Sequence, residues 1–355
     1  MSLVYIIIAI LFFGLLVSIH EFGHFVTAKS CGIGVEEFAV GMGPALWKKQ
    51  KGETLYSVRA IPFGGYCAMR GENGTEDEND SRAFTNAGIG KRLLVLCAGS
   101  FMNFALGFVI ILLMCIGAAG FPAPVISGFF DGCPYQGADA LQVNDRVIEV
   151  DGHRIYMYYD VGDYLTKNGT VHDICVRRDG QRVLLDDFSI PAIEYEGQEG
   201  KYLGLYFGYD EASPGNALRY SWNSCMEFCR LVWQSLGMLF NGEASVNDLT
   251  GPVGIVDLMA DTGEQSETTA DAIYNIAYLG AFIAVNLAVM NMLPIPGLDG
   301  GHIFLMLVSW VIEKIIGRKL DPKYEAAINA AGLILLLALM AYVLFHDIVR
   351  VFFHG

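Results

Sequence analysis

The fold is decided first by an apolar run, Leu3–Ile19 (LVYIIIAILFFGLLVSI), and by the polar cluster that ends it, His20–His24 (HEFGH). The run contains nothing more polar than Tyr5 and Ser18. A helix of about 20 apolar residues spans the roughly 30 Å of a bilayer core. No Lys or Arg precedes Lys29, and no small-residue cleavage pattern follows a compact apolar core, so we expect the segment to be retained as a membrane span.

Three further apolar runs have about the length of a membrane span: Leu93–Ala119, Ala272–Leu293 and Ala326–Phe345. With the first run they predict a polytopic α-helical membrane protein with four transmembrane helices. The third run is the most polar, and a long buried helix of a soluble domain is the alternative interpretation there. His302–Ile312 is also apolar, but it is too short to span a bilayer.

The composition of the whole chain agrees with a membrane protein. Of its 355 residues, 53% are hydrophobic and 17% are charged, and the formal net charge is −15. So few charges argue against an ordinary soluble protein, and this hydrophobicity excludes a disordered chain. An acidic chain also lacks the broad basic surface that nucleic-acid binding requires, so no nucleic-acid partner is expected.

The distribution of charge along the chain predicts its orientation. Residues 29–92 hold nine Lys or Arg and residues 297–325 hold four, whereas residues 121–271 hold nine basic and 24 acidic residues. Cytoplasmic loops carry the excess of Lys and Arg. We therefore expect a multi-pass protein of the cytoplasmic (inner) membrane, with both termini and the acidic segment outside the cell.

These assignments divide the chain into four parts. Residues 1–120 form the first part of the membrane domain, 121–210 an extracytoplasmic β-rich domain, 211–271 an amphipathic helix with Gly251–Ile255 at the outer face, and 272–355 the rest of the membrane domain. In the β-rich part, Asp151-Gly152 and Asp179-Gly180 each separate two β-type runs, which predicts two hairpins. Cys133 and Cys175 could form a disulfide there, and free buried thiols are an equal alternative.

The cluster His20–His24 has the pattern H-E-x-x-H. On a helix, residues four apart lie on one face, so His20 and His24 can both reach one Zn²⁺. Glu21 is then placed to take a proton from a water at the metal. A charge inside a span is costly and is a functional hypothesis by default. The alternative is that these groups only cap the span with polar side chains.

Two histidines leave a hydrolytic zinc one protein ligand short. Carboxylates near the inner end of the third span and His302 remain as candidates, and Asp299 is the best placed carboxylate. Pro294, Pro296 and Gly297 should break the helix just before it, and irregular backbone at membrane depth lines a cavity or is buried in protein. A plain turn at the end of a span would explain the prolines and glycines but not the asparagines.

The loop between the first two spans has strand character. Glu53–Ile61 alternates β-type residues, Gly64-Gly65 offers a bend, and Tyr66–Met69 follows. We predict a short hairpin of these two pieces against the inner leaflet, whose edge could pair with an extended substrate. An ordinary cytoplasmic hairpin without substrate contact is the alternative.

HEFGH in the first span, together with Asn291–His302 (NMLPIPGLDGGH) in the third, resembles the site-2 protease family of intramembrane zinc metalloproteases, specifically the bacterial regulator-of-sigma-E protease type. Further similar motifs occur in the family's order over most of the chain: Val40–Pro44, Ile61–Tyr66, Met69–Glu72, Ala98–Asn103 and Gly251–Ile255. Two departures are Ser100, where such proteins often have proline, and Cys67-Ala68, where valine and lysine are usual.

The resemblance implies a Zn²⁺ held by His20, His24 and Asp299, with Glu21 as general base and Asn291 near the scissile carbonyl. It implies hydrolysis of peptide bonds inside the bilayer, in single-span proteins such as anti-sigma factors or remnant signal peptides. It also implies that the 53–70 loop is a membrane-associated hairpin. Separately, the hairpin within Gln142–Ile155 resembles the central hairpin of a PDZ domain, so we expect a PDZ-like module at about 123–208. A PDZ-like module would bind peptide termini or hinder bulky substrates, and a plain spacer domain is the alternative.

Two other classes of protein remain open from the residues alone. A transporter also places His, Asp and Asn in its spans, but it should show an internal repeat, and none is found. A zinc-bearing scaffold without hydrolysis would have no need for a base at Glu21.

Overall fold

The structure is a computed structural model that describes residues 3–72, 80–167, 169–196, 200–243, 251–318 and 322–353. Residues 1, 2, 354 and 355 of the predicted membrane domain and residues 244–250 of the predicted 211–271 part therefore lie outside the described residues. The chain divides into two compact units, Met1–Ile110 with Cys229–Gly355, and Ile111–Phe228. Each unit is described by itself.

The long helices fit a multi-pass membrane protein. Four candidate spans lie at Val4–Ser30, Ile89–Met114, Thr269–Asn291 and Ala327–Asp347, which confirms the four predicted runs. The second helix ends before the predicted Ala119, because the backbone turns at Gly117 with a φ of +82°. The helices are α1 Leu3–Ser30, α2 Ile89–Met114, α3 Tyr158–Lys167, α4 Pro214–Phe240, α5 Pro252–Glu264, α6 Thr269–Asn291, α7 Asp299–Ile316 and α8 Pro322–Phe353.

In the first unit, α1 packs against α5 and α6 through small and aliphatic side chains. This core contains Ala9, Leu16, Met259, Ile283 and Ala284, all buried. The N-terminus of α5 is held by α8, since backbone N–H groups of the α5 start donate to the buried carboxylate of Asp347. These contacts join the first and third spans, so residues far apart in sequence lie at one depth.

Two long strands follow α1, β1 Val35–Lys51 and β2 Thr54–Met69, and they pair with each other. We predicted that Glu53–Ile61 pairs with Tyr66–Met69. That prediction is wrong, because the strand that pairs with both of these segments is β1. Phe38 lies opposite Cys67 and Lys49 opposite Tyr56, so the second strand of the hairpin is β1. The turn falls at Gly52, whose φ is +61°, a conformation that glycine adopts without strain.

The pair is strongly bent rather than flat. Ser57 lies opposite both Ala39 and Lys48, so the start of β2 is flanked on both sides by β1. The end of β2, Gly65–Met69, lies opposite the start of β1 alone. Residues 65–69 therefore form an edge strand of this small sheet, which we call the outer ribbon.

The turn of the hairpin is fixed to the end of α1 by charge. The Glu53 carboxylate accepts hydrogen bonds from Lys29 at 2.7 Å and from Arg82 at 2.5 Å. These two hydrogen bonds hold the pKa of Glu53 at about 2, well below its usual value. The carboxylate thus stays charged at any physiological pH and keeps the hairpin beside α1.

The second unit is built on an antiparallel sheet. Its strands are β3 Gly120–Phe129, β4 Arg146–Val150, β5 His153–Arg154, β6 Val171–Arg178, β7 Gln181–Ser189 and β10 Leu205–Glu211, in the order β10-β3-β4-β6-β7 with β5 on β4. A separate ribbon pairs β8 Ile193–Glu194 with β9 Lys201–Tyr202.

Both predicted Asp-Gly turns are present in this sheet. Asp151-Gly152 joins β4 to β5 and Asp179-Gly180 joins β6 to β7. All four residues have positive φ, as a two-residue turn matched to the twist of its strands requires. Cys133 and Cys175 are free thiols, so the structure adopts the second of the two alternatives for this pair.

Candidate metal centre

The histidines of the HEFGH cluster lie deep in the first unit on one face of α1. The helix continues past them to Ser30. His20 is 8% exposed and His24 is 6% exposed, and their Nε2 atoms are 3.1 Å apart. Two imidazoles therefore present their outer nitrogen atoms to the same point.

Asp299 joins these histidines from the other end of the chain. α6 ends at Asn291, residues 292–298 are non-helical, and Asp299 is the first residue of α7. Gly297 turns the backbone with a φ of +97°, in the break predicted from the prolines. The Asp299 Oδ2 atom lies 3.1 Å from His20 Nε2 and 3.3 Å from His24 Nε2.

This triangle fits a bound zinc ion. The three ligand atoms are 3.1 to 3.3 Å apart, and ligands at about 2.0–2.1 Å from a tetrahedral zinc lie roughly 3.3 Å apart. Asp299 Oδ2 is buried and has no hydrogen-bond partner among the described residues, which a buried carboxylate oxygen does not tolerate without a cation. Two imidazoles and a carboxylate also form a hydrolytic zinc set that leaves one position open.

Polar groups next to the Nδ1 atoms of His24 and His20 orient both imidazoles. His24 Nδ1–H donates to the Val95 carbonyl at 2.8 Å, which fixes the tautomer and leaves the Nε2 lone pair directed to the cluster. The side-chain amide nitrogen of Asn103 lies 3.5 Å from His20 Nδ1, and its Oδ1 has no hydrogen-bond partner among the described residues. With the amide turned so that Oδ1 faces His20, Nδ1–H donates to Asn103 and both groups are satisfied.

We expect replacement of Asn103 by Ala to weaken zinc binding about 10- to 100-fold, because the loss of such an outer partner typically has that effect. The measurement is a zinc titration against a competing chelator. Asn103→Asp keeps an acceptor and should stay close to the wild-type affinity. Asn275→Ala is the control, since the Asn275 amide lies at the surface and bonds to Ser266. Equal affinity in Asn103→Ala and the control would contradict this role.

α2 approaches the cluster so closely that only glycine fits at the contact. A Cβ on Gly99 would lie 2.5 Å from His24 Nε2 and 2.6 Å from His20 Cε1. On the facing helix α1, a Cβ on Gly23 would lie 2.4 Å from the carbonyl oxygen of Ala98 in α2. These two glycines let α1 and α2 touch backbone to backbone, and α2 thereby closes one side of the metal site.

Glu21 lies beside the triangle and against the outer ribbon of the hairpin. It interacts electrostatically with His20, His24 and Asp299, and its carboxylate accepts a hydrogen bond from the backbone N–H of Cys67. A Cβ on Gly65 would contact the Glu21 Cγ at 3.6 Å. The acid is thus positioned by the strand 65–69, next to the site where a water would bind.

The remaining candidates lie nearby but outside the triangle. Asn291 is the last residue of α6 and is half-buried. His302, the alternative third ligand, lies one turn into α7, and its Nδ1 is 3.2 Å from Asn329 Nδ2 of α8. Among the described residues, His20, His24 and Asp299 form the group able to hold a metal ion.

Sequence reasoning missed Asn103 and Gly99 as parts of the site. Asn103 could have been found from the sequence, because an amide inside an apolar run needs a partner. Gly99 could not, since a glycine in a span is common and its contact depends on how two helices cross.

The chain is similar to known zinc metalloproteases over nearly its whole length. The model of peptidase family M50 matches residues 8–339. A Clostridium acetobutylicum protein named "Putative zinc metalloprotease" is 34% identical, with 98% of each chain covered. The zinc metalloprotease RasP of Shouchella clausii is 28% identical over 96% of this chain and 97% of its own. The regulator of sigma-W protease RasP of Bacillus subtilis is 26% identical over 98% and 99%.

Proposed function

The chain belongs to peptidase family M50, and from that premise we propose that this zinc metalloprotease hydrolyses peptide bonds within the membrane-spanning segments of single-span proteins. The observation that carries the proposal is the triangle of His20, His24 and Asp299, in which both histidines lie inside the first candidate span and Asp299 begins the helix that follows the third. A metal site at that depth is accessible to a substrate that lies in the bilayer.

In the proposed mechanism His20, His24 and Asp299 would hold the ion. Zinc bound there supplies Lewis acidity, which activates water for attack on a peptide carbonyl. Glu21 accepts the proton of that water and delivers it to the departing amine. The Cys67 N–H keeps the Glu21 carboxylate in place for both transfers.

We assign Asn291 to the substrate rather than to the metal. It ends α6 immediately before the non-helical segment 292–298 that leads to Asp299. A side-chain amide there can donate to the carbonyl that is attacked, where negative charge develops.

A substrate helix shields its carbonyls with its own hydrogen bonds, so it must be unwound before cleavage. The outer ribbon 65–69 supports a route, because within the described part of the chain it pairs with another strand on one side only, and an extended segment can add to such an edge. Addition at this ribbon would bring the unwound segment next to Glu21.

The orientation of the chain and the role of its second unit are also part of the proposal. The charge distribution supports a multi-pass protein of the cytoplasmic membrane, with its termini and the 121–210 domain outside and the metal site toward the cytoplasm. We propose that this domain is PDZ-like and hinders bulky substrates. The name of the Bacillus subtilis relative, regulator of sigma-W protease, supports anti-sigma factors as substrates, and remnant signal peptides are the second class.

The test is cleavage of a synthetic single-span peptide by purified protein in detergent and in liposomes. We expect cleavage inside the span, its loss with a zinc chelator and its recovery when Zn²⁺ is restored. Cleavage that survives complete removal of zinc, or cuts confined to exposed loops, would overturn the proposal.

Asp299→Asn tests the ligand set directly. The amide binds zinc more weakly than a carboxylate, so we expect zinc affinity to fall by at least the 10- to 100-fold that follows loss of an outer partner. Metal content after dialysis is the measurement. Asp261→Asn is the matched control, because Asp261 is an exposed acid on α5. A full complement of zinc in Asp299→Asn would show that Asp299 is not a ligand.

A further inference from the structure

A cavity of about 410 Å³ lies beside the metal centre within the first unit. One wall is the face of α2 that carries Ser100 and Phe104, and the other is the end of α6 with Val289 and Met292. Trp233 of α4 closes one side. Apart from the Ser100 hydroxyl, the Cys97 thiol and the indole N–H of Trp233, the side chains around the cavity are apolar.

Both walls of the cavity are continuous with the metal centre. Ser100 follows Gly99, which touches both imidazoles. Met292 packs on Gly300, where a Cβ would lie 2.3 Å from the Met292 carbonyl carbon, and Gly300 follows the ligand Asp299. A segment of chain bound at the ligand triangle can therefore place a side chain in this cavity.

The hydroxyl of Ser100 is the second observation that points to an occupant. Ser100 is only 4% exposed, and its Oγ has no hydrogen-bond partner among the described residues. A buried hydroxyl without a partner is unfavourable, the more so in a hydrocarbon environment. By contrast, Ser18 in α1 donates to the Gly14 carbonyl at 2.6 Å in the usual way for a helix.

We propose that this cavity is the subsite for a large apolar side chain of the substrate next to the scissile bond, and that the Ser100 hydroxyl donates to a substrate carbonyl freed by unwinding. This inference rests on the proposed function and adds its side-chain specificity. A lipid tail could fill an apolar space, but it offers no acceptor at this depth for the hydroxyl. An unwound peptide offers both the side chain and the carbonyl.

The experiment uses the full-length protein and a set of synthetic single-span peptides that differ only at the residues flanking the cut, with Ala, Leu, Phe or Trp at each. We expect wild-type protein to prefer Phe or Leu over Ala by roughly tenfold or more in kcat/KM at one flanking position, because removal of apolar groups from a fitted pocket has effects of that size. The cut position is verified by mass spectrometry for every peptide.

Two variants change the cavity in opposite directions. Val289→Phe fills it and should reduce the preference for Phe over Ala to below threefold, whereas Phe104→Ala enlarges it and should shift the preference toward Trp. Val109→Phe is the matched control, since Val109 is exposed on α2 outside the cavity wall. Zinc content verifies that each variant retains its fold.

Ser100→Ala tests the hydroxyl. We expect kcat/KM to fall roughly two- to tenfold for all peptides, the size of one net hydrogen bond, with the ratio between side chains unchanged and zinc content retained. Ser18→Ala, whose hydroxyl already has a partner, should have no such effect.

The outcomes separate this inference from the proposed function. If wild-type protein cleaves no spanning peptide, the proposed function fails. If wild-type protein cleaves them, but Val289→Phe and Phe104→Ala keep the wild-type ratio, the cavity is not the subsite. Wild-type rates in Ser100→Ala would overturn the role of the hydroxyl.

Discussion

Glu21→Gln is expected to lower kcat by about two to four orders of magnitude while the protein keeps its zinc, because general acid–base catalysis contributes rate enhancement of that size. The substitution is nearly isosteric. The amide oxygen can still accept the hydrogen bond from the Cys67 N–H, so the strand 65–69 should stay in place. The substitution removes the carboxylate that would accept the proton of the water and deliver it to the departing amine.

The measurement combines single-turnover cleavage of a spanning peptide with metal analysis of the same sample. Glu267→Gln removes an equal charge at an exposed position and serves as the control. Undiminished cleavage by Glu21→Gln would exclude Glu21 as the base. Loss of zinc together with activity would instead indicate that Glu21 helps to hold the ion.

Gly99→Ala is expected to remove both zinc binding and cleavage, although it adds a single methyl group. The new Cβ would lie 2.5 to 2.7 Å from the ligand nitrogens of His24 and His20, whereas favourable contacts between heavy atoms lie near 3.5–4.0 Å. The imidazoles can rotate away, so the helices should stay packed. The rotated rings no longer converge with Asp299 on one point.

The matched control is Gly90→Ala in the first turn of α2, where a Cβ would have no neighbour within 4 Å among the residues that the structure describes. It should keep zinc and activity. Circular dichroism and thermal unfolding should show both variants folded, with metal analysis separating them. A Gly99→Ala protein with a full complement of zinc would contradict the close approach of α2.

The four spans could be predicted from sequence because length and apolarity alone set the requirement for crossing a bilayer. The Asp-Gly hairpins of the second unit were predictable for a similar reason. A two-residue turn with positive φ strongly favours those residues, so Asp151-Gly152 and Asp179-Gly180 identify their hairpins without knowledge of any distant contact.

The partner of β2 could not be predicted in the same way. Val35–Lys51 contains Gly41, Gly43 and Pro44, which interrupt the alternation that identifies a strand. Gly41 and Gly43 have φ near +84° and +82°, and the register shifts around them. The strand exists because it packs against β2 and α1, and such tertiary pairing overrides local propensity.

In the metal centre, too, some residues could be predicted from the sequence and others could not. The pair His20 and His24 is a property of one helix and was readable from spacing. The choice of Asp299 over His302 depends on how the break at 292–298 directs the start of α7, which residue patterns alone left open and the resemblance to site-2 proteases suggested. Asn103 and Gly99 depend on the crossing of α1 and α2, which no local pattern encodes.

The placement of the ligand triangle has a consequence for how the protein is made. A ribosome synthesises both histidines with the first segment to emerge, but the carboxylate that completes the set arrives only when most of the polypeptide is already finished. A truncated or nascent chain is therefore an incomplete chelator. Under the proposed function, a chain that stops before Asp299 lacks one of the three ligands and is not expected to hydrolyse peptide bonds.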